Sequence, residues 1–291
     1  MGHYIFLNIA VSGNTSSQRG ERMMRILFSV AFALCVIAGT TASRADPAHV
    51  YAAGSLIAPL KQAIKSAGLD ASQVADPVFG SSGGLRERIE KGEAADLFLS
   101  ADMGHPQTLA KVRPQTLVIP FARNTLCLLS HQSLGLTQAN ALDKMLDPKV
   151  RLATSTPVSD PGGDYAFAVF KRAEAIRPGA DVALSQKALQ LMGGPAAITP
   201  LAGHSIPASI FLADKADILI NYCSGQAEMK RDIADLASIR LPPEIDVTAT
   251  YGLAVLTDNP AAARLALFLL SDKGQAIIAE NGLVPVSGNA P

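Results

Sequence analysis

Three loops rich in serine and glycine separate apolar runs from amphipathic stretches. They cover residues 52–56 (AAGSL), 79–85 (FGSSGGL) and 159–165 (SDPGGDY). The first N–H groups of a helix have no intrahelical partner, and the aligned peptide dipoles place about half a positive charge there. Small residues let a ligand approach the backbone, and serine adds a hydroxyl donor. The three loops therefore indicate an anion site made of neutral donors, although each loop alone also fits an ordinary helix cap.

The second loop also matches G-x-S-x-G, the nucleophile elbow of α/β-hydrolases, with Ser82 as the nucleophile. That arrangement needs an acidic residue and then a histidine later in the chain. The last histidine, His204, is followed by more than 80 residues, and the loop follows only the second predicted strand. A secreted serine hydrolase remains an alternative, but we expect binding rather than catalysis.

Charge and spacing exclude several other classes of protein. The 25 basic and 25 acidic residues leave no surplus to neutralise the phosphates of a nucleic acid, and a hydrophobic content of 48% excludes a disordered chain. His49, His105, His131 and His204 are scattered, with no HExxH or CxxC spacing. The chain has neither a Walker A motif nor GxGxxG. We therefore expect no nucleic-acid partner, no direct metal-cation ligands and no cofactor.

The first 45 residues have the pattern of a secretory signal with an upstream extension. A short basic head at Met23–Arg25 precedes the apolar run Ile26–Ala38, and a small-x-small cleavage site at Ser43–Ala45 places the mature start at Asp46. The run is too short to span a bilayer, which takes about 20 apolar residues. Removing residues 1–45 leaves 21 basic and 24 acidic residues, a net charge of −3.

Cys127 and Cys223 are the cysteines of the predicted mature chain. In an oxidising compartment they could pair, but their spacing does not establish that they lie close together. Two separate buried thiols are the arrangement we expect.

The elements that must position the loops alternate between strands and helices, which predicts an α/β protein with largely parallel sheets. The predicted strands are 49–53, 74–79, 96–99, 126–130, 150–153, 217–220 and 248–256. The predicted helices are 56–67, 85–91, 139–146, 165–175, 180–192, 207–213, 260–270 and 273–281.

In this order the motifs resemble the periplasmic molybdate-binding proteins of bacterial ABC importers. The similar segments are 50–56 (VYAAGSL), 79–85 (FGSSGGL), 95–102 (ADLFLSAD), Asn221-Tyr222 and 268–275. The resemblance runs through most of residues 48–288. It implies a two-lobed type II periplasmic-binding-protein fold of mixed, mostly parallel sheets flanked by helices. Lobe one would hold residues 46–126 and 247–291, and lobe two residues 127–246.

The same resemblance implies an exported, periplasmic solute-binding protein that is not an enzyme. A monomer would capture a tetrahedral oxyanion, molybdate and also tungstate, between its lobes and deliver it to the permease of an ABC importer. Molybdenum would enter only as the oxyanion. A different anion or a small organic acid on the same fold is the alternative.

Family binding positions carry over to five residues, Ser55, Ser82, Gly162, Ile206 and Tyr222. Ser55 and Ser82 would donate hydrogen bonds from their hydroxyl groups, and Tyr222 would donate one from its phenol. Gly162 and Ile206 would donate from their backbone N–H groups. Gly162 stands where the family has alanine, which keeps the N–H but makes the loop less stiff. Because these groups include donors and no acceptor, the site should reject an anion that carries a proton.

Overall fold

The computed structural model describes residues 46–286, so the predicted export signal in residues 1–45 lies outside the described residues. The strands are β1 (Val50–Ala53), β2 (Val78–Gly80), β3 (Leu97–Ser100), β4 (Leu117–His131), β5 (Leu152–Ser155), β6 (Leu189–Met192), β7 (Ile218–Tyr222), β8 (Leu236–Arg240), β9 (Thr248–Val255) and β10 (Val284–Pro285). The helices are α1 (Ile57–Ser66), α2 (Ser82–Glu90), α3 (Gly104–Val112), α4 (Ala141–Leu146), α5 (Pro161–Glu174), α6 (Ala180–Lys187), α7 (Ile206–Leu212), α8 (Gln226–Asp232), α9 (Pro260–Leu270) and α10 (Asp272–Glu280).

The strands form a sheet in the order β2-β1-β3-β9-β4-β7-β5-β6, and β8 and β10 also pair with β4. The outer pairs β1/β2, β1/β3, β5/β6 and β5/β7 are parallel, as expected for strands joined through helices. The pairs at the centre, which involve β4 and β9, are antiparallel. The predicted mixed α/β fold is confirmed.

The central strand β4 changes its partner part-way along its length. Its first part, Leu117–Thr125, pairs with β9, and from Leu126 onward it pairs with β7 and β8. Because β4 has 15 residues, it is long enough to pair with β9 along its first part and with β7 and β8 along its last part. The boundaries predicted for the two lobes, near residues 126 and 247, lie at this change of partner. The division into lobes itself stays a prediction.

Local sequence explains where several helices begin. At α9, the side chain of Asn259 accepts from the N–H groups of Ala261 and Ala262, and Pro260 needs no N–H partner in the first turn. At α10, Ser271 caps the N–H of Gly274. The largest hydrophobic cluster, which contains residues of β1, β3 and β9, also includes four buried residues of α9 (Ala262, Leu265, Ala266 and Leu269) and Ile278 of α10.

Cys127 and Cys223 form a disulfide, so the expectation of two separate thiols is wrong. Cys127 lies on β4, where its strand partner is Asn221 of β7. Cys223 directly follows Tyr222, and strand pairing therefore brings the two cysteine Cα atoms to 5.0 Å. The two cysteines are 96 positions apart in sequence, so only the pairing of β4 with β7 could have revealed this bond.

The bounds of some predicted elements were wrong for identifiable reasons. The helix predicted over 180–192 ends at Lys187, and Leu189–Met192 forms strand β6 because it pairs with β5. The strand predicted over 126–130 is the end of the longer β4. Within residues 46–286, no helix is both long and apolar enough to cross a membrane.

Candidate anion-binding site

The first loop places Ser55 in a 3-10 turn immediately after β1. Its Oγ lies 2.9 Å from the phenolic oxygen of Tyr251, which is fully buried on β9. That oxygen also accepts a hydrogen bond of 3.2 Å from the amide nitrogen of Asn124. When Tyr251 donates to Ser55, the hydroxyl hydrogen of Ser55 is left for another acceptor.

The second loop places Ser82 as the first residue of α2, with 1% of its surface exposed. Its Oγ accepts a hydrogen bond of 3.1 Å from the N–H of Ala101. A hydroxyl that accepts still has a hydrogen to donate. The contact therefore orients Ser82 without using the group that an anion would need.

The third loop differs from the expectation that Gly162 donates its N–H to a ligand. In the structure this N–H donates to Oδ1 of Asp160 at 2.9 Å, and Asp160 is the N-cap of α5. Carboxylates are favoured caps because they accept from the first free N–H groups and oppose the positive helix end. A carboxyl group thus stands beside the donor that the resemblance assigns to the anion.

The fourth position, Ile206, is the first residue of the short helix α7. Ser205 caps this helix by accepting from the N–H of Ala208 at 3.3 Å. The Ile206 side chain packs against a hydrophobic cluster that includes Ile210 and Cys127. No hydrogen bond within residues 46–286 joins Ile206 to the other four candidate residues.

Tyr222 ends β7 with 7% of its surface exposed, and among the described residues its phenolic oxygen has no hydrogen-bond partner. Its ring makes edge contacts with Tyr251, at 5.7 Å between centroids, and with Tyr165, at 6.5 Å. Burial raises the pKa of Tyr222 well above its usual value, and the nearby Tyr251 and Asp160 add to the effect. The phenol therefore keeps its proton as a donor, and an unsatisfied buried donor indicates a missing acceptor.

Loops two and three touch each other. The N–H of Gly83 donates to the carbonyl of Ser159 at 3.1 Å. A Cβ at position 83 would lie 2.4 Å from the carbonyl oxygen of Val158, so only glycine allows this approach. The N–H of Thr250 on β9 donates to the phenol of Tyr165 on α5 at 3.3 Å.

These contacts link Ser55 to Tyr222 through Tyr251, and they link the Ser82 loop to the Gly162 loop through Gly83. Sequence patterns alone do not assign Tyr251, Asn124 or Asp160 to the site. Tyr251 lies in a predicted strand and Asp160 in the third loop, so the sequence pattern includes both residues without showing what they do. Their roles depend on which strands pair, and the sequence pattern did not show this pairing.

The nearby charges are negative rather than positive. Burial raises the pKa of Asp160, and the carboxyl groups of Asp164 and Asp102 raise it further, while hydrogen bonds from Gly162 and Ser155 lower it. Burial also raises the pKa of Asp164. The groups that act on Asp160 include neither a lysine nor an arginine. The candidate site therefore consists of neutral donors and carboxyl groups.

The hydrolase alternative, with Ser82 as nucleophile, needs a histidine beside the Ser82 hydroxyl. Among the described residues, Ser82 has no hydrogen bond to a histidine: His131 pairs with Asp235 and His204 with Asp232. Across residues 46–286, no three His, Cys, Asp or Glu side chains are grouped to hold a metal ion.

Comparison with known proteins gives the family. Residues 48–284 match the model of the bacterial extracellular solute-binding proteins. The chain belongs to this family. Its members are solute-binding proteins of the ABC-importer type, which bind and deliver a ligand rather than catalyse a reaction.

Individual proteins are similar to this solute-binding protein over most of its length. It is 36% identical over 211 residues to an uncharacterised protein of Pasteurella multocida, covering 72% of this chain and 86% of that protein. The periplasmic molybdate-binding protein of Azotobacter vinelandii is 20% identical, with a TM-score of 0.61 over 81% of this chain and 98% of that one. The sulfate-binding protein SubI of Mycobacterium tuberculosis is 17% identical, with a TM-score of 0.65 over 83% of this chain and 88% of that one. At these identities the two structures show a shared fold.

Proposed function

We propose that the chain is a periplasmic solute-binding protein that captures a small tetrahedral oxyanion and delivers it to the permease of an ABC importer. Molybdate is the ligand we expect, with tungstate as a close substitute. The proposed binding groups are the hydroxyls of Ser55, Ser82 and Tyr222 and the N–H of Ile206. The N–H of Gly162 would join them only by exchanging its hydrogen bond to Asp160 for one to the anion.

The observation that carries this proposal is the unpartnered hydroxyl of Tyr222. A buried O–H without an acceptor costs about 1–3 kcal/mol, and a hydrogen bond to a charged acceptor contributes about 1.5–3 kcal/mol. Ser55 and Ser82 add hydroxyl hydrogens from two further loops, and each serine oxygen is already held by a neighbour. Donors that are oriented before the ligand arrives replace its water shell at a small ordering cost.

Two named relatives support the ligand class without deciding it. One binds molybdate and the other binds sulfate, and both anions are tetrahedral with an oxygen at each corner. Neutral donors suit this class because a dianion needs many hydrogen bonds to offset its desolvation. The net charge of −3 for residues 46–291 agrees with local donors, rather than overall charge, as the source of affinity.

The test is thermal unfolding of the purified protein with molybdate, tungstate, sulfate and phosphate. A ligand at about 100 times its Kd stabilises the native state by about 2.7 kcal/mol, so a bound anion raises the unfolding temperature clearly. Chloride at matched ionic strength is the control for general salt effects. No shift with any of the four oxyanions would refute the proposed function, and a shift with sulfate or phosphate alone would replace molybdate as the ligand.

A further inference from the structure

Asn124, Tyr251 and Ser55 form a hydrogen-bond network that runs from the core to the first loop. Asn124 on β4 is 1% exposed and Tyr251 on β9 is fully buried, whereas Ser55 is partly exposed. The amide nitrogen of Asn124 lies 3.2 Å from the phenolic oxygen of Tyr251, and that oxygen lies 2.9 Å from Oγ of Ser55. Ser55 is therefore the most accessible member of this network.

The orientation of the Asn124 amide group follows from its neighbours. Its Oδ1 accepts a hydrogen bond of 3.0 Å from the N–H of Thr125, and a backbone N–H can only donate. The amide nitrogen must therefore face the other two contacts, which are Oγ of Ser224 at 2.8 Å and the phenolic oxygen of Tyr251 at 3.2 Å. These two oxygens take both amide hydrogens, so Asn124 presents a donor to Tyr251 and no acceptor.

This donor fixes the direction of the contact between Tyr251 and Ser55. The Tyr251 oxygen accepts from Asn124, and the Tyr251 hydrogen needs an acceptor because the residue is fully buried. Among residues 46–286, Oγ of Ser55 is the acceptor within hydrogen-bond distance of it. The opposite arrangement, with Ser55 as the donor, would leave the Tyr251 hydrogen facing the N–H of Asn124.

We propose that Asn124 and Tyr251 are positioning residues for anion binding, which hold the Ser55 hydroxyl with its oxygen turned to Tyr251 and its hydrogen free for an oxyanion. The inference rests on the proposed function and adds two residues that act through Ser55. Because the hydroxyl is oriented before the anion arrives, the cost of ordering it falls on folding rather than on binding.

The position of Asn124 in the sheet suits this role. It lies beside Thr125, the last residue of β4 that pairs with β9 before β4 turns to β7. One of its amide hydrogens goes to Tyr251 on β9, and the other goes to Ser224, two residues after Tyr222 at the end of β7. A single side chain therefore ties the support of Ser55 to the strand end that carries the other buried hydroxyl donor.

The experiment is a double-mutant cycle measured by calorimetric titration with the oxyanion that the thermal panel selects among molybdate, tungstate, sulfate and phosphate. Ser55→Ala should raise the Kd roughly 10- to 150-fold, because one hydrogen bond to a charged acceptor is lost. Tyr251→Phe keeps the ring and removes only the group that holds Ser55, so it should raise the Kd roughly 2- to 10-fold. In the Ser55→Ala background the same change should alter the Kd less than about 2-fold, since no hydroxyl is left to orient.

Asn124→Asp tests the direction of the network. It keeps the size of the side chain and replaces the amide donor by an acceptor, so Tyr251 donates to the new carboxylate and Ser55 donates to Tyr251. The hydrogen that the anion needs is then used within the protein. We expect the rise in Kd to be at least about tenfold larger with Ser55 present than in the Ser55→Ala background. Charge repulsion by the carboxylate acts in both backgrounds, so the comparison removes it.

Tyr165→Phe is the matched control. Tyr165 belongs to the same group of tyrosine rings, but its hydroxyl accepts from the N–H of Thr250, and within residues 46–286 it has no hydrogen bond to Ser55. Any effect of Tyr165→Phe on the Kd should therefore be the same with and without the Ser55 hydroxyl.

The outcomes distinguish this inference from the proposed function. If the wild-type protein binds and Tyr251→Phe has equal effects in both backgrounds, the positioning role is overturned and oxyanion capture stays intact. An effect of Asn124→Asp that is equally large in both backgrounds overturns the assigned direction. Absence of wild-type binding to all four oxyanions refutes the proposed function and this inference with it. If Asn124→Asp fails to fold by circular dichroism, the Tyr251→Phe cycle decides alone.

Discussion

Tyr222→Phe should weaken anion binding without destabilising the free protein. The substitution removes one oxygen that, within the described part of the chain, has no hydrogen-bond partner. The ring and its edge contacts with Tyr165 and Tyr251 are retained. Most buried tyrosines lose a protein hydrogen bond on this change, whereas Tyr222 has none of its own to lose.

The size of each effect follows from hydrogen-bond energetics. A hydrogen bond to a charged acceptor contributes about 1.5–3 kcal/mol, so the Kd for the anion should rise roughly 10- to 150-fold. The free protein should unfold at the same free energy or at one up to about 1 kcal/mol higher, because a buried unsatisfied hydroxyl is removed.

Tyr51→Phe is the matched control for this substitution. Tyr51 is also buried, with 5% of its surface exposed, but its hydroxyl donates to Glu93 at 2.7 Å. We expect Tyr51→Phe to lower the free energy of unfolding by about 1 kcal/mol and to leave the Kd unchanged.

The assay is urea unfolding of both variants without ligand, followed by calorimetric titration with molybdate or with the anion found in the thermal panel. If Tyr222→Phe lowers stability as much as Tyr51→Phe does and leaves the Kd unchanged, the Tyr222 hydroxyl is a structural group. The reasoning from its missing partner would then be refuted.

Three other predictions concern stability and the contact between loops. Reducing the Cys127–Cys223 disulfide, which closes a loop of 96 residues, should lower the free energy of unfolding by about 4–5 kcal/mol in urea. Gly83→Ala should weaken anion binding and cost about 1–3 kcal/mol of stability in the same urea assay, because its Cβ meets the Val158 carbonyl oxygen. Hydrogen bonds from Arg88 hold the pKa of Glu93 at about 2, below its usual 4.5. The stability that this shift contributes above pH 4.5 should therefore be lost as the pH falls to 2, and an acid titration monitored by circular dichroism measures the loss.

Each of these has a control in the same chain. A Cys127→Ala/Cys223→Ala protein should not respond to reductant. Gly225→Ala should leave binding unchanged, since the nearest atom to its Cβ would be 3.7 Å away on Asn221. Glu93→Gln should remove its share of the acid loss, and an unchanged acid profile would contradict the role assigned to that carboxyl group.

Sequence patterns predicted the positions of helices and strands better than they predicted which strands pair with each other. The helix at Pro260–Leu270 was predicted to the residue because a proline and a strong cap mark its start. Strand β6 was missed because Leu189–Met192 is only partly buried and continues the composition of α6. Its strand character comes from pairing with β5, which local pattern does not contain.

In the candidate site, too, local sequence identified some residues, while others depend on contacts between distant parts of the chain. Ser55 and Ser82 follow strands and begin helical turns, so local sequence pointed to them. The Tyr251 contact and the disulfide join residues 196 and 96 positions apart, which requires the strand order. Asp160 lies in the third loop, but its hydrogen bond with the N–H of Gly162 depends on the direction of its side chain, which the sequence does not give.

The central position of β9 has a consequence for the order in which the protein assembles. Strands β3 and β4 both pair with β9, which the ribosome reaches only at residues 248–255. Until then, both strands present unpaired edges, and Tyr251 is missing from the core. A nascent or truncated chain that ends before residue 248 is therefore an aggregation hazard rather than a partly working protein.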